Sequence, residues 1–419
     1  MSMATTLARF AHDPCKAPEV VAKMIRLSCL DWAACALAGR DEPVARALRQ
    51  VALKEAGTPE AGLIGGGRVP ARAAALVNGA TSHALDYDDT HFAHIGHPSV
   101  AVFPAALAVA EREGCEMNDM LDAALIGVEA SIRVGLWLGR EHYQVGFHQT
   151  ATSGAFGATL AAARLLKLHE DETVQALGLA ATKAAGIKAQ FGTMGKPLNA
   201  GLAAECGVMA ADWAKAGVQS NPDALDGVNG FGPTHHGAGD LSALVDLGQH
   251  WHFETISHKF HACCHGLHAM LEALRSLSAP PEHLVIHTHP RWMTVCNIPT
   301  PKTGLEAKFS YRMAAAMALL GIDTSAVASY TDDLTERSDL ARIMARIDVE
   351  TDETLTEMQT RILADGTPHH HDLASPLPLE TRTARLLAKA RALTKRADTM
   401  QAAIQTADIA GFKEALLQN

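Results

Sequence analysis

The sequence predicts a mainly α protein, a large all-helical domain with a smaller α+β domain inserted towards its C-terminal end. Ala, Leu and Met dominate its apolar residues while aromatics make up only 5% of the chain, so helix formers outnumber strand formers over most of the length. After about residue 245 the texture changes, and short strand-like runs such as LVIHTH at 284–289 alternate with helical patterns, as an α+β unit requires. At 419 residues the chain exceeds one ordinary core. The expected division is 1–250 as helical domain, 251–376 as α+β domain, and 377–419 as helices rejoining the first.

Taken in order, residues 19–37 carry apolar side chains at helical spacing and are closed by Gly39, and a second helix follows Pro43. The run GLIGGG at 62–67 is followed by no Lys-Ser or Lys-Thr, so it reads as a turn and not a phosphate cradle. Helices are expected from Pro70 to about 85, over 100–113 and over 117–139. A long helix to 168 is rich in Ala, Gly and Ser, which suits a central, closely packed element. Further helices are expected over 173–185 and 200–216. Beyond 245, strands are expected at 284–289, 346–349 and 357–364, the last before an Asp365-Gly366 turn, with helices over 305–320 and 334–347 between them. Helix returns over 379–395 and 401–417.

The formal net charge of −10 and the absence of basic runs with interleaved aromatics argue against a nucleic-acid partner, though not against a local basic pocket for a small anion. No apolar run is long enough for a bilayer, and the first residues hold no apolar signal core, so the expectation is a cytoplasmic protein without a membrane partner. Eight cysteines, at 15, 29, 35, 115, 206, 263, 264 and 296, show no CxxC pair and read mostly as reduced core thiols.

The chemistry concentrates in one stretch, HALDYDDTHFAHIGHPS at 83–99, which packs carboxylates, a hydroxyl and imidazoles between two apolar helical patterns. Gly96 and Pro98 break the helix there, so these groups sit on a loop held by two helices, a common setting for catalysis. Four further clusters combine ionisable groups with helix breaks: Phe147-His148, Gly195-Lys196-Pro197, residues 258–265, and Lys308 to Tyr311. Singly, each has a plainer reading: Asp88 or Asp89 as a cap, His148 as a hydrogen-bonded core histidine, Tyr311 as a core tyrosine. A metal site is not expected. His91, His94 and His97 recur every third residue, but HExxH is absent, and the triple His369-His370-His371 reads as surface loop. GxSxG and the dinucleotide fingerprint are absent too, which leaves acid/base work without a cofactor.

The segments HALDYDDTH with GHPS, GFHQTATSGAFGA, GTMGKPLNAG, KFHACC and EAKFSYR, in that order, resemble the MmgE/PrpD family. The resemblance implies a helical domain with an α+β lid, a homodimer, no cofactor, and a small di- or tricarboxylate substrate. It places pocket residues at Asp86, Thr90, His97, His148, Lys196 and Tyr311. In the decarboxylase branch the lid adds a lysine, here His258 or Lys259, and a histidine, here Cys263.

The step shared by such enzymes moves a proton at a carbon next to a carboxylate. Lys196 and His148 suit stabilisation of the developing charge, and His97, then Tyr311, suit the acid or base. Asp86 is expected to orient His97, and Thr90 to hydrogen-bond a substrate carboxylate. Dehydration of a hydroxy polycarboxylate is the expected outcome, with epimerisation and then decarboxylation as alternatives. A metal-dependent hydrolase and a non-catalytic binding protein stand further off.

Overall fold

The computed structural model describes residues 2–13 and 17–418, and it is mainly α. Its chain forms two compact units, Met1–His258 with Thr394–Asn419, and Lys259–Leu393. The helix Leu379–Leu393, expected with the C-terminal return, belongs to the smaller unit.

In the larger unit the helix Gln149–Leu165 lies at the centre, with every residue but Arg164 buried. It packs on Met117–Gln144, Gly195–Lys215 and Ser99–Glu113. Small residues make this possible: a Cβ on Gly157 would lie 2.4 Å from the Gly127 carbonyl oxygen. Backbones therefore meet directly, and cohesion comes from dense dispersion contact more than from large side chains. The C-terminal helix Ala397–Thr406 packs on Glu19–Gly39. The turn expected at 62–67 is a hairpin turn between Ala61–Gly62 and Arg68–Val69, with Gly65, Gly66 and Gly67 at positive φ. Between helices Ala71–Ser82 and Ser99–Glu113 runs the polar loop 83–98.

The smaller unit holds a four-stranded sheet in the order Ile347–Thr351, Leu284–Thr288, Gln359–Ala364, Thr367–Asp372. Its first pair is parallel and the others antiparallel. Asp365 and Gly366, at φ 48° and 81°, make the two-residue turn that joins the last two strands. His369, His370 and His371, expected on a loop, lie in the last strand, whose polar residues suit a sheet edge. The helix expected over 305–320 is interrupted: Gly304–Ala307 ends, and Ser310 caps a new helix, Tyr311–Leu319, by accepting from the Met313 amide.

Among the described residues, no helix is long and apolar enough to cross a membrane. The seven described cysteines are reduced thiols, five of them buried; Cys15 lies outside the described residues.

Candidate active site

The loop 83–98 and the start of the helix Gly195–Lys215 bring together the larger unit's densest group of ionisable side chains. Asp88, fully buried, accepts from two imidazoles: His83 Nδ1 at 2.8 Å on Oδ1 and His97 Nδ1 at 2.7 Å on Oδ2. Burial works to raise the Asp88 carboxyl, but His83 and His97 more than offset it and hold it well below the usual carboxylate range. Asp88 is thus an ionised acceptor that fixes the His97 ring and leaves Nε2 as its reactive nitrogen.

His97 Nε2 lies 3.4 Å from Asp86 Oδ1, and Asp86 Oδ2 pairs with Lys196 Nζ at 2.6 Å. Asp88 thus holds His97 through Nδ1, while Asp86 faces its Nε2 and binds Lys196. Asp86 reaches this position from a left-handed backbone, φ 52°, which Asp tolerates better than most residues. Lys196, in the first turn of its helix, also sits 5.4 Å from the centre of the Phe191 ring.

His148, the residue before helix Gln149–Leu165, is buried and accepts at Nδ1 from Asn199 Nδ2 at 3.1 Å. Burial first, and Lys196 next, push its basicity well below the usual histidine range, so it is a neutral imidazole with its proton on Nε2, a fixed donor. Its ring lies 6.4 Å from that of His83, which in turn lies 4.6 Å from His97. The larger unit thus joins Asp86, His97, Lys196 and His148 in one neighbourhood. It adds three residues to which the sequence assigned no pocket role: Asp88, read as a cap, His83, part of the motif, and Asn199.

The remaining candidates are engaged within their own units. Thr90 forms an isolated β-bridge with Ser257, and its hydroxyl lies 3.4 Å from the Ser257 carbonyl. His258 is buried with Nε2 2.9 Å from Ser28 Oγ, an engagement inside the larger unit. In the smaller unit Lys259 and Cys263 are buried; burial first, and the neighbouring Cys264 next, push the Cys263 thiol up to about 12. Tyr311, expected as an acid or base, is fully buried, donates to the Gly266 carbonyl at 2.7 Å and pairs with Thr288 Oγ1 at 2.7 Å. Burial, and then Cys296, hold its hydroxyl well above the usual tyrosine range, so its proton is committed within the unit's own core.

The histidines recurring every third residue share no ligand position. His91 Nε2 faces Thr255 Oγ1 at 2.8 Å, His94 Nε2 faces Ser153 Oγ at 2.7 Å, and His97 binds Asp88. His94 fills space that a Cβ on Gly135 would take, 2.1 Å from its Cδ2. Among the described residues, the metal-ligand atoms that do converge belong to His83, Asp86, Asp88 and His97, all within 4.8 Å of one another. Both Asp88 oxygens already accept imidazole protons there, so a cation competes with those two hydrogen bonds.

Beside this group lies a second buried carboxyl. Burial, opposed by the Ser99 hydroxyl at 2.6 Å and reinforced by Asp31 and Asp88, pushes Asp89 up to about 7. Its folded value exceeds the unfolded one of about 4, so between about pH 4 and 7 the folded state retains a proton that the unfolded state has lost. Stability therefore falls as pH rises through that window. Asp89→Asn should remove this dependence: its thermal midpoint relative to wild type should climb from about pH 4 to 7 and then level, a gain of roughly 2–4 kcal/mol. A difference that stays flat over that range, measured by calorimetry, would show that Asp89 does not titrate there.

Comparison with known proteins identifies the family. The MmgE/PrpD N-terminal domain matches residues 5–243 and the MmgE/PrpD C-terminal domain matches residues 261–409. A cis-aconitate decarboxylase of Aspergillus terreus is 30% identical over 307 residues, 67% of this chain and 62% of that protein. The human cis-aconitate decarboxylase is 36% identical over 171 residues, 39% of this chain and 35% of that protein. The mouse enzyme is 28% identical over 302 residues, 68% of this chain and 61% of that protein. The chain spans less than two thirds of the length of each of these relatives. With both family domains matched in order along it, this chain belongs to the MmgE/PrpD family.

Proposed function

We propose that the chain is a cofactor-independent enzyme that moves a proton at a carbon next to a carboxylate in a small di- or tricarboxylate. The observation that carries this reading is His97, held at Nδ1 by ionised Asp88 and turned at Nε2 towards the Asp86–Lys196 pair. Removing such a proton drives charge onto the neighbouring carboxylate. Lys196 and the Nε2 proton of His148 supply fixed positive ends for that charge, and His97 Nε2 takes or returns the proton. Asp86 keeps Lys196 aimed until a substrate carboxylate engages it.

The cis-aconitate decarboxylases among its relatives support cis-aconitate as the first substrate to test, with loss of carbon dioxide after proton transfer. Dehydration of a hydroxy polycarboxylate is the second reading, and Cys263 favours it. Where the resemblance places a histidine in the decarboxylase branch, this chain has a buried thiol pushed up to about 12, too weak an acid to shuttle protons near neutrality. A homodimer is part of the proposal and is read by sedimentation.

The test is proton NMR in deuterium oxide with cis-aconitate, citrate, 2-methylcitrate, malate, tartrate and iminodisuccinate, with and without a chelator. Deuterium entry at the carbon next to a carboxylate is expected on at least one compound. Carbon dioxide release, new vinylic signals or inversion alone then identifies decarboxylation, dehydration or epimerisation. Activity abolished by the chelator would instead favour a metal bound by the His83 group. Absence of exchange on every compound, with Lys196→Ala matching wild type in ligand-induced thermal shifts, would overturn the reading in favour of a binding protein.

A further inference from the structure

The smaller unit holds a second reactive arrangement that the proposed reaction does not use. Cys264 precedes the turn His265–Leu267, and Cys296 closes the helix Pro290–Val295. Their sulfurs are 3.1 Å apart, with the Cys296 S–H donating to Cys264. Both segments are fixed by backbone hydrogen bonds: Cys264 N to the Lys308 carbonyl, Cys296 N to the Trp292 carbonyl, and Tyr311 N to the Cys296 carbonyl, at 3.0, 2.8 and 3.1 Å. Gly266 makes the approach possible, since a Cβ there would sit 2.6 Å from Trp292 and 3.0 Å from Cys296 Sγ.

The two thiols are unequal. Cys296 is buried, and its hydrogen bond to Cys264, with burial next, holds its thiol well above the usual range. Cys264 is half-buried and receives that S–H, which stabilises negative charge on its sulfur. One sulfur is thus set to attack and the other to resolve.

We infer that Cys264 and Cys296 are a modification site, closing to a reversible disulfide when the protein meets a peroxide. The Cys264 thiolate attacks a peroxide oxygen and the O–O bond breaks, leaving a sulfenic acid on Cys264; the departing alkoxide or hydroxide takes up the proton that the Cys264 thiol gave up and leaves as alcohol or water. The Cys296 sulfur then attacks the Cys264 sulfur, the S–O bond breaks, and the departing hydroxide takes the Cys296 proton as water. The two thiols together lose two electrons, which reduce the peroxide; a dithiol returns them. The resulting bond ties the segment carrying Lys259 and Cys263 to Cys296, whose carbonyl accepts from Tyr311 N.

The test is independent of the proposed reaction. The reduced full chain is treated with equimolar hydrogen peroxide, and its intact mass and peptide map are read. The expected result is loss of two hydrogen atoms, a peptide linking Cys264 to Cys296, and reversal by dithiothreitol. Cys296→Ser should leave a sulfenic acid on Cys264 that dimedone captures, and Cys264→Ser should show neither adduct nor link. Cys263→Ser should keep the link. Circular dichroism melts check that the variants fold, and if one does not, the wild-type map decides alone. A link between Cys263 and Cys264 instead, or peroxide consumption with no Cys264–Cys296 peptide, would overturn the inference.

Discussion

His97→Gln is expected to lower kcat by roughly 10²–10⁴-fold on whichever polycarboxylate the enzyme turns over, with a smaller change in KM. Glutamine fills a similar volume and still donates towards Asp88, but it neither accepts nor returns a proton near neutral pH. Asp88→Asn tests the same relay one step back. An amide offers its oxygen or its NH2 to His97 Nδ1, and where the NH2 faces the ring, the imidazole proton is driven to Nε2 and the base is lost. Because Asp88 also receives His83, this variant should lower the melting midpoint as well, whereas His97→Gln should lower it less. Single-turnover deuterium exchange separates chemistry from binding. Exchange by His97→Gln within a few-fold of wild type would remove His97 as the base.

The sequence made the loop at 83–99 visible as a site because charge density between two apolar helices is a local property. Which carboxylate serves which partner is not. Asp86, Asp88 and Asp89 lie within four residues, and in a loop no periodicity assigns their directions. The left-handed backbone at Asp86 sends its carboxylate towards Lys196, while Asp88 turns inward between two imidazoles and Asp89 towards Ser99. The sequence offered His83 as part of the motif, but nothing in it said that His83 and His97 meet one carboxylate. Tyr311 shows the same limit in the smaller unit. Its helix was expected, yet the partners that occupy its hydroxyl, Gly266 and Thr288, come from segments tens of residues away. His369 to His371 were assigned to a loop because polar runs are usual there; edge strands are polar for a different reason, to discourage pairing with other chains.

Lys196→Ala should lower kcat by roughly 10²–10³-fold, the range for removing one fixed donor from a site where charge develops, and should weaken substrate binding too. The ion pair with Asp86 makes the effect separable from simple loss of charge. Without Lys196, Asp86 is a carboxylate facing an anionic substrate, so part of the loss is repulsion and not missing stabilisation. Asp86→Asn alone should then cost less than Lys196→Ala, since Lys196 remains to meet the substrate. The double variant should be no worse than Lys196→Ala, and better in KM, because the unpaired carboxylate is gone. Losses that simply multiply would mean that the two side chains act independently. Lys196→Arg supplies the charge with a planar head, and partial recovery of binding with little recovery of kcat would locate the contribution of Lys196 in the aim of its ammonium.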